Sequence, residues 1–467
     1  MKRTIKKILA ICLALLSMLS LASCGAKSAY DIAVENGFRG DKKAWLEYLQ
    51  GAPGKDGESL DIRDIYEEAC KGEDGFKGTF LEFLKEYLGE NSLDVNQDNN
   101  TEQIAKNVMS VVSVQAFSSG YTGSGVVIEL DKEGGDALIL TNYHVLYNPT
   151  TKYNAWKNQI YVYPYGALSY TTKKEFDGSY SVSDYGGGIA CEYIGGSMDY
   201  DIAVLRVEDS VQLKKSNLVA ADMGAPGEQK VGEKVFVIGN PKGLGVSVTE
   251  GVLSLDSEYI EVEMELPSGS LFNSTTVKKP FTYRVMRTDA AINGGNSGGG
   301  LFDSQGKLIG IVNAKSVSEE VDNMGYALPI TQVKYAVNNI LANSGKIVRA
   351  KFGIMTTVTD SIAGIGSDGE LYITEEISVY KVGQEQDSEG KWVNFDCIAN
   401  GKFKEGDILK TIQIGDGEVV TIDRRFIVPE YLLNVRMGDT VKVVVERGGR
   451  LQTLVLKFDN ANYFTEL

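Results

Sequence analysis

Short apolar runs separated by Gly-rich turns dominate the chain from about residue 103 onward. Runs of about four to eight residues bounded by turn residues are typical of β-strands. They predict strands at residues 108–114, 125–130, 137–140, 160–163, 202–207, 234–238, 308–313 and 326–329. Helical periodicity is scarce in this region until residues 331–342. Many short strands over about 230 residues favour an all-β barrel architecture, so we expect a mainly β fold.

The N-terminus has a different pattern, in which basic residues precede an apolar run at 8–21. The run has about 14 residues, whereas a membrane-spanning helix needs about 20. This layout predicts a secretory signal over residues 1–23. The sequence Leu21-Ala22-Ser23-Cys24 resembles a bacterial lipobox, in which the cysteine becomes the lipidated first residue. We therefore expect Cys24 to anchor the protein at the extracellular face of the cell membrane; the alternative is an ordinary signal peptide with a chance cysteine.

The segment that follows, residues 24–102, contains an internal repeat. Residues 37–51 and 75–89 each predict a glycine-containing turn followed by a short amphipathic helix that ends at a glycine. They predict a short helical stalk that resembles repeats in surface proteins of Gram-positive bacteria. Two interpretations stay open: a spacer that holds the next domain off the membrane, or a module that binds the cell wall or a partner. The polar segment 94–101 predicts the linker that ends the stalk.

Composition excludes several function classes. The formal charge is −16, with 63 acidic against 47 basic residues, so the chain lacks the basic face that nucleic-acid binding needs. There is a single histidine, and the five cysteines show no CxxC pair, so we expect no metal site, no cofactor and no disulfide framework. No phosphate-binding Gly-x-x-x-x-Gly-Lys motif is present in the sequence, which predicts ATP-independent chemistry.

Candidate chemistry lies in three segments. The only histidine, His144, follows the end of a predicted strand; Asp201 opens an apolar strand; and Ser297 stands in the glycine-rich run 294–300. Serine is a poor nucleophile unless a base takes its proton and an acid holds that base in the right tautomer. The order His, Asp, Ser along the chain is that of chymotrypsin-type proteases. The three residues together predict a Ser-His-Asp catalytic triad.

Motifs around these residues resemble the HtrA/DegP family of trypsin-like serine proteases. The matching segments are Thr-Asn-Tyr-His-Val at 141–145, Asp-Ile-Ala-Val-Leu at 201–205, Ile-Gly-Asn-Pro at 238–241, Thr-Glu-Gly-Val-Leu-Ser at 249–254 and Gly-Asn-Ser-Gly-Gly at 295–299. The resemblance covers nearly all of residues 103–345 and implies a chymotrypsin-like double β-barrel protease domain. It implies that His144 is the general base, that Asp201 orients it, that Ser297 attacks the carbonyl, and that the amides of Gly295 and Ser297 form the oxyanion hole.

Some features leave alternatives open. Asp199 is a second acid two residues from Asp201 and is the alternative third member of the triad. Gly294 and Gly300 stand where the family commonly has prolines, which predicts a looser nucleophile loop. An insert at 256–279 precedes the nucleophile strand. Two roles stay open for it, covering the cleft and regulating it.

The C-terminal segment, residues 346–467, resembles the PDZ domain that follows the protease in the same family. The resemblance rests on residues 348–354, 401–409 and 438–445. It implies that Phe352, Gly353 and Ile354 line a loop whose amides capture a peptide C-terminus beside an open sheet edge. The stretch 367–400 is longer than usual, which predicts a modified groove, and the alternative is a structural β-domain that binds no peptide.

Two functions follow from these features. The favoured one is a membrane-tethered, ATP-independent endopeptidase that cleaves misfolded or exported polypeptides at the cell surface, and the family resemblance implies a homotrimer. The alternative is a peptide-binding sensor or chaperone whose protease chemistry is weak or silent. The intact triad favours the first function, and the altered nucleophile loop keeps the second open.

Overall fold

The computed structural model describes residues 39, 99–147, 159–177, 179–225, 229–243, 245–268, 275–313, 324–366, 369–386 and 391–467. The predicted signal segment, Cys24 and both stalk repeats lie outside the described residues. The chain divides into two compact units, 1–99 and 100–467, and the following description concerns the second. Within the described ranges, every helix falls short of the length and apolarity that crossing a bilayer requires.

A helix, Asn99–Val108, precedes the first strand. Its first turn carries Glu102 and its last turn Lys106, which is the charge order that the helix dipole favours. The prediction of a linker through residue 101 is therefore wrong at its end. The predicted strand at 108–114 also begins too early, since Val108 still belongs to the helix and the strand starts at Val111.

The first barrel closes from six strands in the order β1-β2-β3-β8-β7-β4. Their bounds are β1 Val111–Ala116, β2 Tyr121–Asp131, β3 Asp136–Thr141, β4 Ile160–Pro164, β7 Ile189–Ser197 and β8 Ile202–Val207. A side hairpin, β5 Thr171–Lys174 and β6 Tyr180–Asp184, lies between β4 and β7 in the chain. The barrel interior is apolar because successive strands turn Val, Ile and Leu side chains inward, among them Val112, Ile139 and Leu205.

The second barrel closes in the order β10-β11-β14-β13-β12-β9. Its strands are β9 Lys234–Gly239, β10 Ser247–Ser268, β11 Thr275–Thr288, β12 Gly300–Asp303, β13 Leu308–Asn313 and β14 Gly325–Pro329. With this second six-stranded barrel, the prediction of a mainly β, chymotrypsin-like double-barrel fold is confirmed. Six of the eight predicted strands agree with the structure to within one residue at each end. The exceptions are 108–114, which is displaced toward the N-terminus, and 125–130, which begins four residues after the start of β2.

The insert at 256–279 extends β10 and β11 into a long antiparallel hairpin. Its residues alternate between a buried and an exposed face, as the pleat of a strand requires. Ile260, Val262 and Met264 are buried, whereas Glu261 and Glu263 are exposed. The buried face joins the cluster of apolar side chains that lies between the barrels and also includes Tyr200 and Tyr283. The insert is therefore part of the molecule's core on one face.

A helix, Ile330–Ala342, leads from the second barrel to the C-terminal region. That region contains a main sheet in the order β16-β17-β20-β22-β23, with β21 paired to β20. The strands and short helix of the region are β15 Val348–Ala350, β16 Ile354–Ile365, β17 Leu371–Val382, β18 Gln384–Gln386, β19 Trp392–Asn394, β20 Ile408–Ile414, β21 Val419–Thr421, the helix Ile427–Tyr431, β22 Thr440–Arg447, β23 Arg450–Lys457 and β24 Phe464–Glu466. Two further short helices, Tyr143–Leu146 and Val211–Lys215, belong to the first barrel.

The C-terminal region has its own apolar core and is bonded to the barrels at named points. Asn339, on the linking helix, donates its side-chain amide to the carbonyls of Val348 and Leu433 at 2.8 and 2.6 Å. Arg284, on β11, makes a two-pronged contact with the Glu430 carboxylate, and both side chains are buried. Because each of these groups is buried and paired, the contact between the barrels and the C-terminal region is specific rather than merely apolar.

Candidate active site

His144 and Asp201 form a hydrogen-bonded pair at the edge of the first barrel. His144 lies in the short helix Tyr143–Leu146, directly after β3 ends at Thr141, and Asp201 immediately precedes β8. The imidazole Nδ1 lies 2.7 Å from the Asp201 Oδ2 atom. The Asp201 side chain is 0% exposed and that of His144 is 14% exposed. An acid that is buried against Nδ1 fixes the ring orientation and leaves Nε2 as the nitrogen that can accept a proton.

Further donors hold the Asp201 carboxylate in place. The backbone amide of His144 donates to Oδ1 at 3.0 Å, and the Asn313 side-chain amide donates to Oδ2 at 3.0 Å. Asn142 donates its side-chain amide to the Asp201 carbonyl at 2.9 Å. Hydrogen bonds to the charged form of a carboxylate favour that form, so these donors offset the cost of burying the anion.

The neighbouring acid, Asp199, is placed differently. Asp199 is exposed, whereas Asp201 is buried. Asp201 adopts φ +49°, a left-handed conformation that aspartate tolerates better than most residues. The geometry therefore pairs Asp201, and not Asp199, with the imidazole.

Ser297 lies in the loop between β11 and β12 of the second barrel. Ser124 of β2 links this loop to the strand end that carries His144. Its amide donates to the Ser297 carbonyl at 2.8 Å, and its own carbonyl accepts a hydrogen bond from Thr141 Oγ1 at 2.7 Å. Thr141 is three residues before His144, so one residue of β2 is bonded both to the serine loop and to the histidine segment.

Gly298 shows how closely the serine loop approaches the first barrel. It has φ +84°, which an L side chain rarely adopts. A Cβ atom at this position would lie 2.1 Å from the Ser124 carbonyl oxygen and 2.4 Å from Thr141 Oγ1. The amide of Gly298 donates to the Val312 carbonyl at 2.9 Å, which ties the loop to β13 next to Asn313. Only glycine fits here, because both the backbone conformation and the space exclude a side chain.

The predicted oxyanion residues lie on the same loop. Gly295 has φ +100°, and its carbonyl accepts a hydrogen bond from Ser124 Oγ at 2.7 Å. Ser124 Oγ in turn accepts the Asn240 amide at 2.8 Å. This bridge ties the Gly295 carbonyl to β2 and to Asn240. The pairing of the Gly295 and Ser297 amides into one hole stays a prediction.

The sequence alone predicts no role for Ser124, Asn142 or Asn313. Asn142 lies inside the Thr-Asn-Tyr-His-Val motif, and Ser124 lies between two glycines on a strand. Asn313 closes the otherwise apolar run of β13 and is 1% exposed. The sequence signal for a role of Asn313 is a polar residue at the end of an apolar run. A buried amide needs hydrogen-bonding partners, so such a residue is expected to bond to another buried polar group.

Comparison with known proteins finds relatives for this part of the chain. Residues 123–311 match the family described as Trypsin-like peptidase domain. This segment is therefore similar to trypsin-like peptidase domains. The chain is 27% identical over 350 residues to Serine protease Do-like HtrA of Bacillus subtilis (strain 168), covering 72% of this chain and 63% of that protein. It is 31% identical over 315 residues to Protease Do-like 1, chloroplastic, of Arabidopsis thaliana, covering 65% of this chain and 61% of that protein.

A third relative of the HtrA type is Serine protease Do-like HtrA of Lactococcus lactis subsp. lactis (strain IL1403), which is 28% identical over 349 residues, 73% of this chain and 71% of that protein. The chain spans less than two thirds of the length of the first two relatives. The match to the trypsin-like peptidase family is confined to residues 123–311.

Gly294 and Gly300, the two positions at which the HtrA/DegP family commonly has prolines, have different surroundings. A Cβ at Gly294 would meet nothing within 4 Å, whereas a Cβ at Gly300 would lie 2.3 Å from the Phe302 ring. Gly300 is therefore required by the local packing of β12, while Gly294 leaves room for a side chain.

The predicted peptide-binding loop of the C-terminal region places its three residues in different environments. The Phe352 side chain is buried among the rings of Phe403 and Phe458, at 5.6 and 6.1 Å between centroids. Gly353 has φ +79°, and Ile354 opens β16. Within the described residues, β16 stands at the edge of the main sheet. The Phe352 side chain therefore belongs to the core. The predicted contact with a peptide is left to the backbone of this segment and to the edge of β16.

Proposed function

We propose that this chain is an ATP-independent serine endopeptidase in which Ser297 is the nucleophile, His144 the general base and Asp201 the acid that orients it. The observation that carries the proposal is the 2.7 Å contact between His144 Nδ1 and a fully buried Asp201. In this mechanism Nε2 takes the Ser297 proton as Oγ attacks the substrate carbonyl, and the imidazolium then protonates the leaving amine. Asp201 stabilises the imidazolium while it exists, and water hydrolyses the acyl-enzyme by the same path.

A fluorophosphonate probe tests the nucleophile. The expected result is labelling of the wild-type protein at Ser297, with no labelling of Ser297→Ala and cleavage of casein by the wild type alone. Labelling that persists in Ser297→Ala would place the nucleophile elsewhere. A folded wild-type protein that neither reacts with the probe nor cleaves casein would favour the non-proteolytic alternative.

The proposed substrates are misfolded or exported polypeptides at the extracellular face of the cell membrane. Two features support this location: the secretory pattern of residues 1–23 and the lipobox-like Leu-Ala-Ser-Cys sequence that ends at Cys24. Two acyl chains anchor a protein stably, whereas one binds reversibly, so the diacylated form is the one proposed. Cys24→Ala should release the protein or leave its precursor uncleaved, and unchanged retention with normal processing would contradict the anchor.

The C-terminal region is proposed to bind peptide C-termini at the edge of β16. The support is the glycine turn at Gly353 and the position of β16 at the end of the sheet. An extended peptide can add to such an edge while nearby backbone amides donate hydrogen bonds to its terminal carboxylate. A fluorescent peptide library ending in a free carboxylate should bind, and the same peptides ending in an amide should bind more weakly. Equal binding of both sets would contradict carboxylate capture.

A further inference from the structure

The turn that presents Asp201 is short and conformationally costly. It runs from the end of β7 at Ser197 to the start of β8 at Ile202. The Asp201 amide donates to the Met198 carbonyl at 3.2 Å, and Asp201 has φ +49°. A left-handed conformation in a non-glycine residue is retained only when its surroundings hold it. The direction of the carboxylate toward His144 therefore depends on what holds this turn.

The hairpin formed by β10 and β11 holds one end of the turn. Tyr283 on β11 donates its hydroxyl to the Met198 carbonyl at 2.8 Å, and the same hydroxyl lies 3.2 Å from Met264 Sδ. Tyr283 is 1% exposed. Burial, together with the negative charges of Asp201 and Asp199, raises the pKa of Tyr283, so its hydroxyl keeps the proton that it donates.

The start of the C-terminal region holds the other end. Arg349 on β15 donates from Nη1 to the Tyr200 hydroxyl at 3.3 Å, and Tyr200 directly precedes Asp201. Upstream, the Gly196 amide donates to the Gly345 carbonyl at 3.1 Å. A Cβ on Gly195 would lie 2.2 Å from that carbonyl oxygen, so the two segments can approach this closely only without a side chain.

We propose that Tyr283 and Arg349 are positioning residues for Asp201, which hold the two ends of its turn and thereby set the strength of the His144–Asp201 contact. The proposal deepens the proposed function and rests on it for the role of Asp201. It gives the 256–279 insert a role, because the insert supplies Met264 and extends the strand that carries Tyr283. It also makes the C-terminal region part of the catalytic apparatus, since Arg349 lies outside the barrels and Glu430 pairs with Arg284 beside Tyr283.

The groups that act electrostatically on the two tyrosines of this site are few. Asp201 and Asp199 act on Tyr283, and Arg349, Glu430 and Asp199 act on Tyr200. His144 faces Asp201 itself. Removal of a hydroxyl from either tyrosine changes no formal charge near the imidazole. A change in the protonation of His144 in such a variant would therefore report the position of Asp201.

The test uses three variants of the full chain. Tyr283→Phe removes the hydrogen bond to the Met198 carbonyl. Tyr200→Phe and Arg349→Met each remove the hydrogen bond between the Arg349 guanidinium and the Tyr200 hydroxyl. Tyr335→Phe and Arg425→Met are the matched controls, since Tyr335 packs on the Tyr431 ring and Arg425 lies over the Tyr259 ring. With a single histidine in the sequence, the imidazole NMR signal has only one source in the chain. The measurements are kcat and KM on a peptide substrate and the NMR titration of His144.

Each turn variant should lose roughly 3- to 10-fold in kcat, the effect of one hydrogen bond, with little change in KM. The midpoint of the His144 titration should move to lower pH, because a displaced Asp201 stabilises the imidazolium less. The controls should keep both values. A merely structural role would lower the melting temperature without moving the titration.

Folded turn variants with wild-type kcat and an unmoved His144 titration would overturn the proposal. The titration needs no catalytic turnover, so it decides the positioning role even if Ser297 proves not to be the nucleophile. In that case the fluorophosphonate experiment fails while the titration shift persists, which separates failure of the proposed function from failure of this inference.

Discussion

Asn313 and His144 donate to the same carboxylate oxygen of Asp201, Oδ2, at 3.0 and 2.7 Å. Asn313 comes from β13 of the second barrel and His144 from the first, so both barrels meet on one buried atom. The two donors differ in kind, since an amide cannot change its charge near neutral pH whereas an imidazole can. Asn313 therefore supplies a constant hydrogen bond to Asp201 in both protonation states of His144.

Replacement of Asn313 tests this shared contact. Asn313→Ala should lower kcat/KM by roughly 10- to 100-fold, because a hydrogen bond to a buried charged group is lost. Asn313→Asp should lower it further at neutral pH, since a second carboxylate beside Asp201 favours protonation of one of them. Asn400→Ala, in an exposed turn of the C-terminal region, is the control. Wild-type kcat/KM in Asn313→Ala would show that the amide is dispensable.

The proposed catalytic residues should behave as one unit. Ser297→Ala and His144→Ala should each lose roughly 10⁴- to 10⁶-fold in turnover, and the double variant should be little worse than either. Asp201→Asn should be severely impaired, while Asp199→Asn should keep most activity because Asp199 is exposed. A casein assay on the variants checks this. Full activity in His144→Ala, or equal losses at the two aspartates, would reverse the assignment.

Gly298 and Gly294 of the serine loop provide a test variant and its control, because a side chain has no room at the first and ample room at the second. Gly298→Ala should abolish activity and destabilise the fold, because its Cβ would strike the Ser124 carbonyl and its φ is +84°. Gly294→Ala should leave activity close to that of the wild type, since its Cβ meets nothing within 4 Å. Probe labelling and thermal unfolding measure both effects. Similar losses in the two variants would mean that flexibility of the loop, rather than space at Gly298, is what matters.

The Arg284–Glu430 pair should carry a stability cost when one partner is removed. Glu430→Ala leaves the buried Arg284 charge without its partner and should lower the free energy of unfolding by about 3 kcal/mol or more. Arg284→Met combined with Glu430→Leu should recover much of that loss, because both buried charges are then gone. Glu263→Ala breaks an exposed pair with Lys278 and should change stability by less than about 1 kcal/mol. Equal effects of Glu430→Ala and Glu263→Ala in chemical denaturation would contradict this.

Activity should rise with pH as His144 loses its proton, because only the neutral imidazole can accept the proton of Ser297. Tyr283 should add no alkaline loss, since burial and the charges of Asp201 and Asp199 raise its pKa and keep its hydroxyl protonated. A kcat/KM profile between about pH 5 and 9 checks the rise through the range of imidazole titration. A profile that falls over this range would exclude His144 as the base.

The sequence by itself determined most of the strands and predicted which residues are reactive. The predicted strands at 202–207 and 308–313 match β8 and β13 at both ends, because an apolar run bounded by turn residues is a local signal. His144, Asp201 and Ser297 were predicted because their residue types and local motifs are specific. The predictions were weakest at 94–114, where a polar segment gave no sign that a helix begins at Asn99.

Only the tertiary structure decided which groups meet. Asn313 donates a hydrogen bond to Asp201, which is 112 residues away in the sequence. Tyr283 donates one to Met198, which is 85 residues away and lies in the turn before Asp201. The tertiary structure also turned one face of the 256–279 insert into the core between the barrels. The physical reason is that helix and strand patterns depend on neighbouring residues, whereas these hydrogen bonds exist only after both barrels have closed and have brought distant strand ends together.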